Sequence, residues 1–308
     1  MAGQVTVPQA QEGAQRRARR GRTPYLTALV RFAYRQPLGA IGGILVFLLV
    51  MTGILAPQLA PHGPKEASFT AYTPPSFEFP MGTDHLGRDV LSRVIWGARL
   101  SLYVGLTSVG IGVTLGALWG IVAAYFGGAA DMISQRIVDS IMAFPGIVLA
   151  ISLMAVLGQS VDNVVVALAF LFIPITARIM RSTTLSIKES IYVEAARAVG
   201  GSHFQIIRRH ILPNSMAPYI VLISVNLGYA IVVEASLSFL GLGAPPDEPS
   251  WGGMITLAGD SLLSAPWMAL FPGAAITLGV FGMNMLGDSV RDVLDPRLRG
   301  QEAAQSNN

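Results

Sequence analysis

An all-α integral membrane protein with six transmembrane helices is the fold class this sequence predicts, and three observations carry the prediction. Only 13% of the 308 residues are charged and 52% are hydrophobic, with a mean hydropathy of +0.54, whereas a soluble domain carries about a quarter charged residues. Six runs, 36 to 61, 100 to 130, 140 to 161, 163 to 177, 211 to 233 and 261 to 287, contain no Asp, Glu, Lys or Arg. The basic residues fall unevenly between alternate connections, as orientation in a bilayer requires.

Residues 1–35 form a polar, basic tail in which Arg16, Arg17, Arg19, Arg20, Arg22, Arg31 and Arg35 precede the first apolar run, LGAIGGILVFLLVMTGILAP. That charge bias places the amino terminus in the cytoplasm. The stretch before Pro24, rich in Gln, Ala, Gly and Arg, is expected to be disordered and to lie on the anionic membrane surface. A cleaved signal peptide has an apolar stretch of about 7 to 15 residues ending in small residues. The present run is longer, so residues 36–60 are expected to remain as the first transmembrane helix. A hydrocarbon core about 30 Å thick needs roughly 20 helical residues, which five of the runs supply. The fourth, 163 to 177, is short, and its flanking Asp162 and Arg178 are expected to snorkel to the interfaces. Buried helices of a large soluble protein would carry a polar stripe that these runs lack.

Six crossings from a cytoplasmic start put the connections after spans two and four, and both termini, inside. On that assignment 17 Lys and Arg residues lie inside and four, Lys65, Arg88, Arg93 and Arg99, outside. The outer segment 61–98 opens with prolines and aromatics, then reads MGTDHLGRDVLSRVIWGAR. Val90, Leu91, Val94 and Ile95 share one helical face with Asp89, Ser92 and Arg93 opposite, which predicts a short amphipathic helix on the outer surface or the rim. A packed connector without a role of its own is the alternative. Residues 99–290 are expected to hold the other five transmembrane helices, and 291–308 a cytoplasmic tail.

Within that core, residues 182–213 form a cytoplasmic connection, STTLSIKESIYVEAARAVGGSHFQIIRRHILP. A helix from about Leu185 to Val199 is expected to end at Gly200 and Gly201, which supply a left-handed turn. Ser202 and Gln205 have capping-box spacing for a second helix, with Phe204, Ile207 and Ile211 on one face and Pro213 as its stop. Arg197, Arg208 and Arg209 are expected to stay outside. Such a hairpin can present a surface for docking into another protein's groove. A hairpin resting on the membrane without a partner is the alternative.

Several chemistries are excluded. The chain has no cysteine, hence no disulfide framework and no thiolate metal site. Its two lysines, Lys65 and Lys188, do not follow a Gly-x-x-x-x-Gly-Lys-Ser/Thr loop, so it cannot hydrolyse ATP by that route. His62, His85, His203 and His210 all fall in connections, and no Gly-x-Ser-x-Gly elbow exists, which removes the usual intramembrane nucleophile and metal arrangements. Asp131, Asp139 and Asp288 fall near cytoplasmic ends, and Asp162, Glu234 and Asp260 near outer ends, so no aspartate pair meets at the midplane. A net charge of +3 gives no reason to expect nucleic acid as a partner.

Polar residues within the spans are the candidates for a pathway. Glu234, near the outer end of span five, and Asn226 and Asn284 are pathway-lining candidates, with interfacial capping and helix-to-helix hydrogen bonding as the plainer alternatives. Pro145, Pro174, Pro218 and Pro272 are expected to kink helices. Gly112, Gly116 and Gly120, spaced by four, are expected to serve close helix packing.

The segment EAARAVGGSHFQIIRRHILPN resembles the EAA loop of ABC importer permeases: Glu-Ala-Ala, then Gly, then Leu-Pro ending thirteen residues after that Gly. Glu194, Ala195, Ala196, Gly200, Leu212 and Pro213 match. The position two before the leucine, often Ile, is His210 here. FAYRQPLGAIGGILV, MGTDHLGRDVLSRVIWGARLSL, YFGG with AFPGIVLA, and EASLSFLGLGAPPDEPSWGGMI are similar to the dipeptide, oligopeptide and nickel branch. The resemblance implies a type I importer-like bundle in the bacterial inner membrane. It implies a second permease subunit, two ATPase subunits that bind ATP and Mg, and an extracytoplasmic solute-binding protein as partners. Glu194, Ala195, Ala196 and Gly200 would then contact the ATPase, and this chain would hold no cofactor of its own. Peptides are the expected solute, since no cysteine or intramembrane histidine offers a soft ligand for nickel, which stays as the alternative. A gradient-driven transporter would show inverted repeats and broken midplane helices, neither of which is evident, and a scaffold or receptor would bind something else with the hairpin.

Overall fold

The computed structural model describes residues 36–294. The arginine-rich tail 1–35, and Arg297 and Arg299 in the expected cytoplasmic carboxyl tail, lie outside the described residues. All regular structure is helical among the described residues: α1 (Pro37–Ile54), the single turn α2 (Ala56–Leu59), α3 (Val90–Phe126), α4 (Gly128–Met142), α5 (Gly146–Leu157), α6 (Val161–Lys188), α7 (Ile191–Ala198), α8 (His203–Ile206), α9 (Leu212–Asn214), α10 (Met216–Phe239), α11 (Trp251–Ala258) and α12 (Trp267–Leu294). Five of them, α1, α3, α6, α10 and α12, are long and apolar enough to cross a membrane. The pair α4 and α5, bent by 86°, is apolar enough when taken together to count as a sixth if it forms one broken span.

That bend falls at Pro145, where a kink is expected, and is large enough to split the run 140 to 161 into two helices. Pro145 cannot continue α4, and the residue before a proline is driven out of the helical region, so the chain turns between Ala143 and Pro145 and restarts at Gly146. The short run 163 to 177 needs no rescue by snorkelling, because α6 continues to Lys188 over 28 residues. Its charged flank is paired instead: Arg178 meets Asp139, and Arg181 takes Asp131 with two hydrogen bonds of 2.7 and 2.6 Å. Both ion pairs tie α4 to α6.

Helices α3 and α6 make the central contact. Gly112, Gly116 and Gly120 lie against α6 so closely that a Cβ on each would stand 2.4, 2.5 and 2.2 Å from the carbonyl oxygens of Ala169, Ile173 and Ala177. Four-residue spacing on both helices keeps the two stripes in register, as close packing of small residues in a bilayer requires. Around this seam Val104, Val113, Ile121, Leu168, Phe172 and Met180 are buried in one core. A second core near the other end gathers Trp251, Met254, Met268 and Met283.

The short amphipathic surface helix expected at residues 90–95 is not separate. Those residues are the first turns of the 37-residue α3, since no breaker stands between Val90 and the span. Their polar face is inside: Asp89, Ser92 and Arg93 are all but inaccessible. Asp89 caps α3 by accepting from the amides of Leu91 and Ser92, as a helix start demands. Arg93 donates to the carbonyls of Pro64 (2.8 Å), Asp247 (3.4 Å) and Glu248 (3.3 Å). It thereby staples the 61–89 segment and the loop after α10 to one end of α3. Asp84 accepts from the amides of Leu86 and Arg88 and from Arg88 Nε at 2.6 Å, which folds the segment back on itself.

Candidate functional site

The connection between α6 and α10 builds a compact hairpin, with four differences from the sequence reading. Its first arm is two helices, because α6 ends at Lys188 and α7 begins at Ile191 after Ser190 adopts an extended backbone. Its second arm is α8, a π-helical turn (Ile207–Ile211) and α9. The wider turn shifts the register, so Ile206 and Ile211 face inward with Ile207 half-buried, whereas Phe204 is 72% exposed. Pro213 lies in α9, which follows the π-helical turn without a break, and it does not stop the helix as expected: helical backbone continues past it toward α10.

The turn itself follows from three residues. The amide of Gly200 donates to the Arg197 carbonyl and that of Gly201 to the Ala196 carbonyl, both at 3.0 Å, the paired bonds of a Schellman ending. Gly200 holds φ +82°, a conformation strained for any residue with a Cβ. Gly201 is required for space, since its Cβ would stand 2.7 Å from the Ala196 oxygen. Ser202 then caps α8 by accepting from the Gln205 amide at 3.3 Å.

Of the six residues taken from the EAA pattern, Glu194, Ala195 and Gly200 are exposed, Ala196 is half-buried, Leu212 is half-buried against the core, and Pro213 is exposed at the root of α10. On α7, Ile191, Glu194, Ala195 and Ala198 share the outward face at i, i+3, i+4 and i+7, and Val193 is buried on the other. Ala196 therefore serves the fold of the hairpin through its carbonyl and its packing. Sequence reasoning missed Ile191 and Val199 and put Phe204 on the same face as Ile211; around these small residues the three are 84%, 86% and 72% exposed. Large apolar groups left in the open beside alanines and a glycine form a surface suited to a partner's groove.

Sequence reasoning also missed Tyr125, at the end of α3. It is 4% exposed and is gripped by both arms of the hairpin. Its hydroxyl lies 3.0 Å from His203 Nδ1. The Arg197 guanidinium and the Lys188 ammonium stand 5.7 and 5.9 Å from the centre of its ring. Lys188 Nζ also donates to the Ala124 carbonyl at 3.3 Å, neutralising the negative end of α3.

Each of the three pathway candidates has contacts of its own. Glu234 on α10 is 1% exposed, accepts from Ser238 Oγ at 2.9 Å, and is faced by Ser101 and Ser250. Asn226 is buried and donates to the Leu222 carbonyl of its own helix at 2.7 Å. Asn284 on α12 is exposed, and its Oδ1 comes within 2.5 Å of where a Cβ on Gly228 would stand, so it occupies the space that glycine leaves between α10 and α12.

Residues 112–300 match the family described as binding-protein-dependent transport system inner membrane component. A glutathione transport system permease protein of Pectobacterium atrosepticum is 42% identical over 282 residues, covering 90% of this chain and 93% of its own. A dipeptide transport system permease protein of Alkalihalophilus pseudofirmus is 41% identical over 266 residues, covering 86% and 88%.

Proposed function

We propose that this chain, which belongs to the family of binding-protein-dependent transport system inner membrane components, is the permease subunit of an ATP-driven importer of peptides. Membership makes it a non-enzymatic, multi-pass component of the inner membrane that works with an ATPase and a binding protein. The finer assembly is our reading: a second permease completes the pathway, two ATPase subunits bind ATP and Mg, and both termini of this chain face the cytoplasm. The names of its relatives, glutathione and dipeptide permeases, support peptides over nickel.

One observation carries the reading: a hairpin fastened to the core on one side and bare on the other. Val193, Ile206 and Ile211 are fully packed inward, and Ile191, Val199 and Phe204 stand outward around Glu194, Ala195 and Gly200. A lever needs both properties, a face that grips a moving partner and a root that cannot slip. Closure of the ATPase pair around ATP would displace this face, and packed helices respond to such a push by rocking as bodies. Coupling then passes through α6 into the α3 seam.

The test is uptake by the complex purified from its native membrane and reconstituted in proteoliposomes with its binding protein. Labelled dipeptide uptake that requires ATP, and is lost in Glu194→Lys plus Gly200→Trp, supports the reading. Uptake driven by an ion gradient without ATP overturns it, and uptake of nickel in place of peptide overturns its substrate class.

A further inference from the structure

We propose that Tyr125 is the positioning residue that joins the hairpin to α3, so that displacement of the hairpin moves the long helix instead of bending the hairpin alone. The inference rests on the transport reading and names a part that reading lacks. The hairpin is rooted in α6 on one side and leads into α10 on the other, but at the α6 root the helix is broken at Glu189 and Ser190 before α7 begins. A push on α7 could therefore be absorbed at that break. Tyr125 bridges it from outside. It is buried at the cytoplasmic end of α3 and takes one contact from each part of the hairpin: Lys188 at the end of α6, Arg197 in the last turn of α7 and His203 at the start of α8.

Phe126 adds to the clasp, its ring centroid 5.8 Å from that of His203. Two cations beside one ring repel each other, and the close Ala124 carbonyl that receives Lys188 offsets this at the negative end of the helix. The far end of α3 is held as firmly, by Asp89 and Arg93. A helix of 37 residues, about 55 Å long at 1.5 Å per residue, is thus fixed to the hairpin at one end and to the outer segment at the other. It can carry a displacement across the membrane as one rod.

A role in coupling differs from a role in folding by what its loss leaves intact. Tyr125→Ala removes the hydroxyl and the ring, and Tyr125→Phe removes the hydroxyl alone. The measurement is peptide taken up per ATP hydrolysed by the reconstituted complex, together with the amount of ATPase that copurifies. With Tyr125→Ala we expect a full complement of ATPase, continued ATP hydrolysis and a ratio lower by about tenfold, the size of a common coupling energy. Tyr125→Phe is expected to lower the ratio roughly twofold to fivefold, as loss of one hydrogen bond does. A wild-type ratio in both variants overturns the proposal. So does loss of the ATPase from both complexes, which would make Tyr125 part of assembly. If the wild-type complex takes up no peptide on ATP hydrolysis, the transport reading itself falls.

Discussion

Substituting Gly116 by alanine tests the α3 seam with a sign as well as a size. A Cβ at this position would stand 2.5 Å from the Ile173 carbonyl oxygen and 2.8 Å from Thr176 Cβ. Ordinary contact begins near 3.4 Å, so the two helices must separate by about 1 Å and lose dispersion along their length. Such overpacking costs about 1 to 3 kcal/mol, against a gain of about 0.5 to 1 kcal/mol when alanine replaces glycine in a helix. The middles of the two ranges leave a net destabilisation of about 1 kcal/mol. Gly110, on the same helix, has no atom within 4 Å of its Cβ position, so Gly110→Ala keeps the gain and meets no clash. Thermal unfolding of the complex in mild detergent, followed by circular dichroism, is expected to rank Gly110→Ala at or above wild type and Gly116→Ala below it. Adding Gly112→Ala to Gly116→Ala should cost less than the two singles summed, because helices already parted accommodate the second methyl. A Gly116→Ala protein that melts with or above Gly110→Ala would refute the close-packed seam.

The same geometry predicts three other outcomes. Arg93→Ala strips the three carbonyls of Pro64, Asp247 and Glu248 of their buried donor and should cost about 1 to 3 kcal/mol, seen as a lower melting temperature and protease cleavage within 61–89; Arg93→Lys should not restore it, lacking the fork. Burial holds the His85 imidazole below its ordinary value, with Arg88 and Arg93 acting in the same direction and Asp84 opposing. The unfolded chain therefore takes the proton first as pH falls, so stability is full above about pH 6.5 and declines below it, and His85→Gln should flatten that decline in melting temperature. Gly201→Ala puts a Cβ 2.7 Å from the Ala196 oxygen and should loosen the hairpin turn, raising hydrogen exchange at the Gly201 amide while leaving α12 unchanged.

The parts legible in the sequence are those set by local chemistry. Uninterrupted apolar runs gave the membrane helices, paired glycines before Ser202 gave the hairpin turn, and the four-residue glycine spacing gave the seam. The features that escaped depend on distant partners or on small shifts of register. The burial of Arg93 needs carbonyls 29, 154 and 155 residues away, and a local reading of an arginine opposite an apolar face puts it in water. Phe204 does not share the buried face of Ile211 because the π-helical turn Ile207–Ile211 changes the register between them. The break at Pro145 was visible as a kink, but its 86° size depends on how α5 packs on α6. Tyr125 carried no signal, being one aromatic at the end of an apolar run.

Because the chain has no cysteine, the central claim can be put to a single-residue crosslink. Val199→Cys places a thiol on the hairpin's bare face, and Val156→Cys places one on α5, each at a residue that is 86% exposed. With a short reagent that carries a maleimide for the introduced thiol and a photoreactive benzophenone that inserts into C–H bonds of any neighbour, Val199→Cys in the purified complex is expected to join this chain to the ATPase subunit, more efficiently when nucleotide is bound, and Val156→Cys to leave the two apart. Absence of any Val199→Cys crosslink to an ATPase that is demonstrably present, with or without nucleotide, would contradict the account.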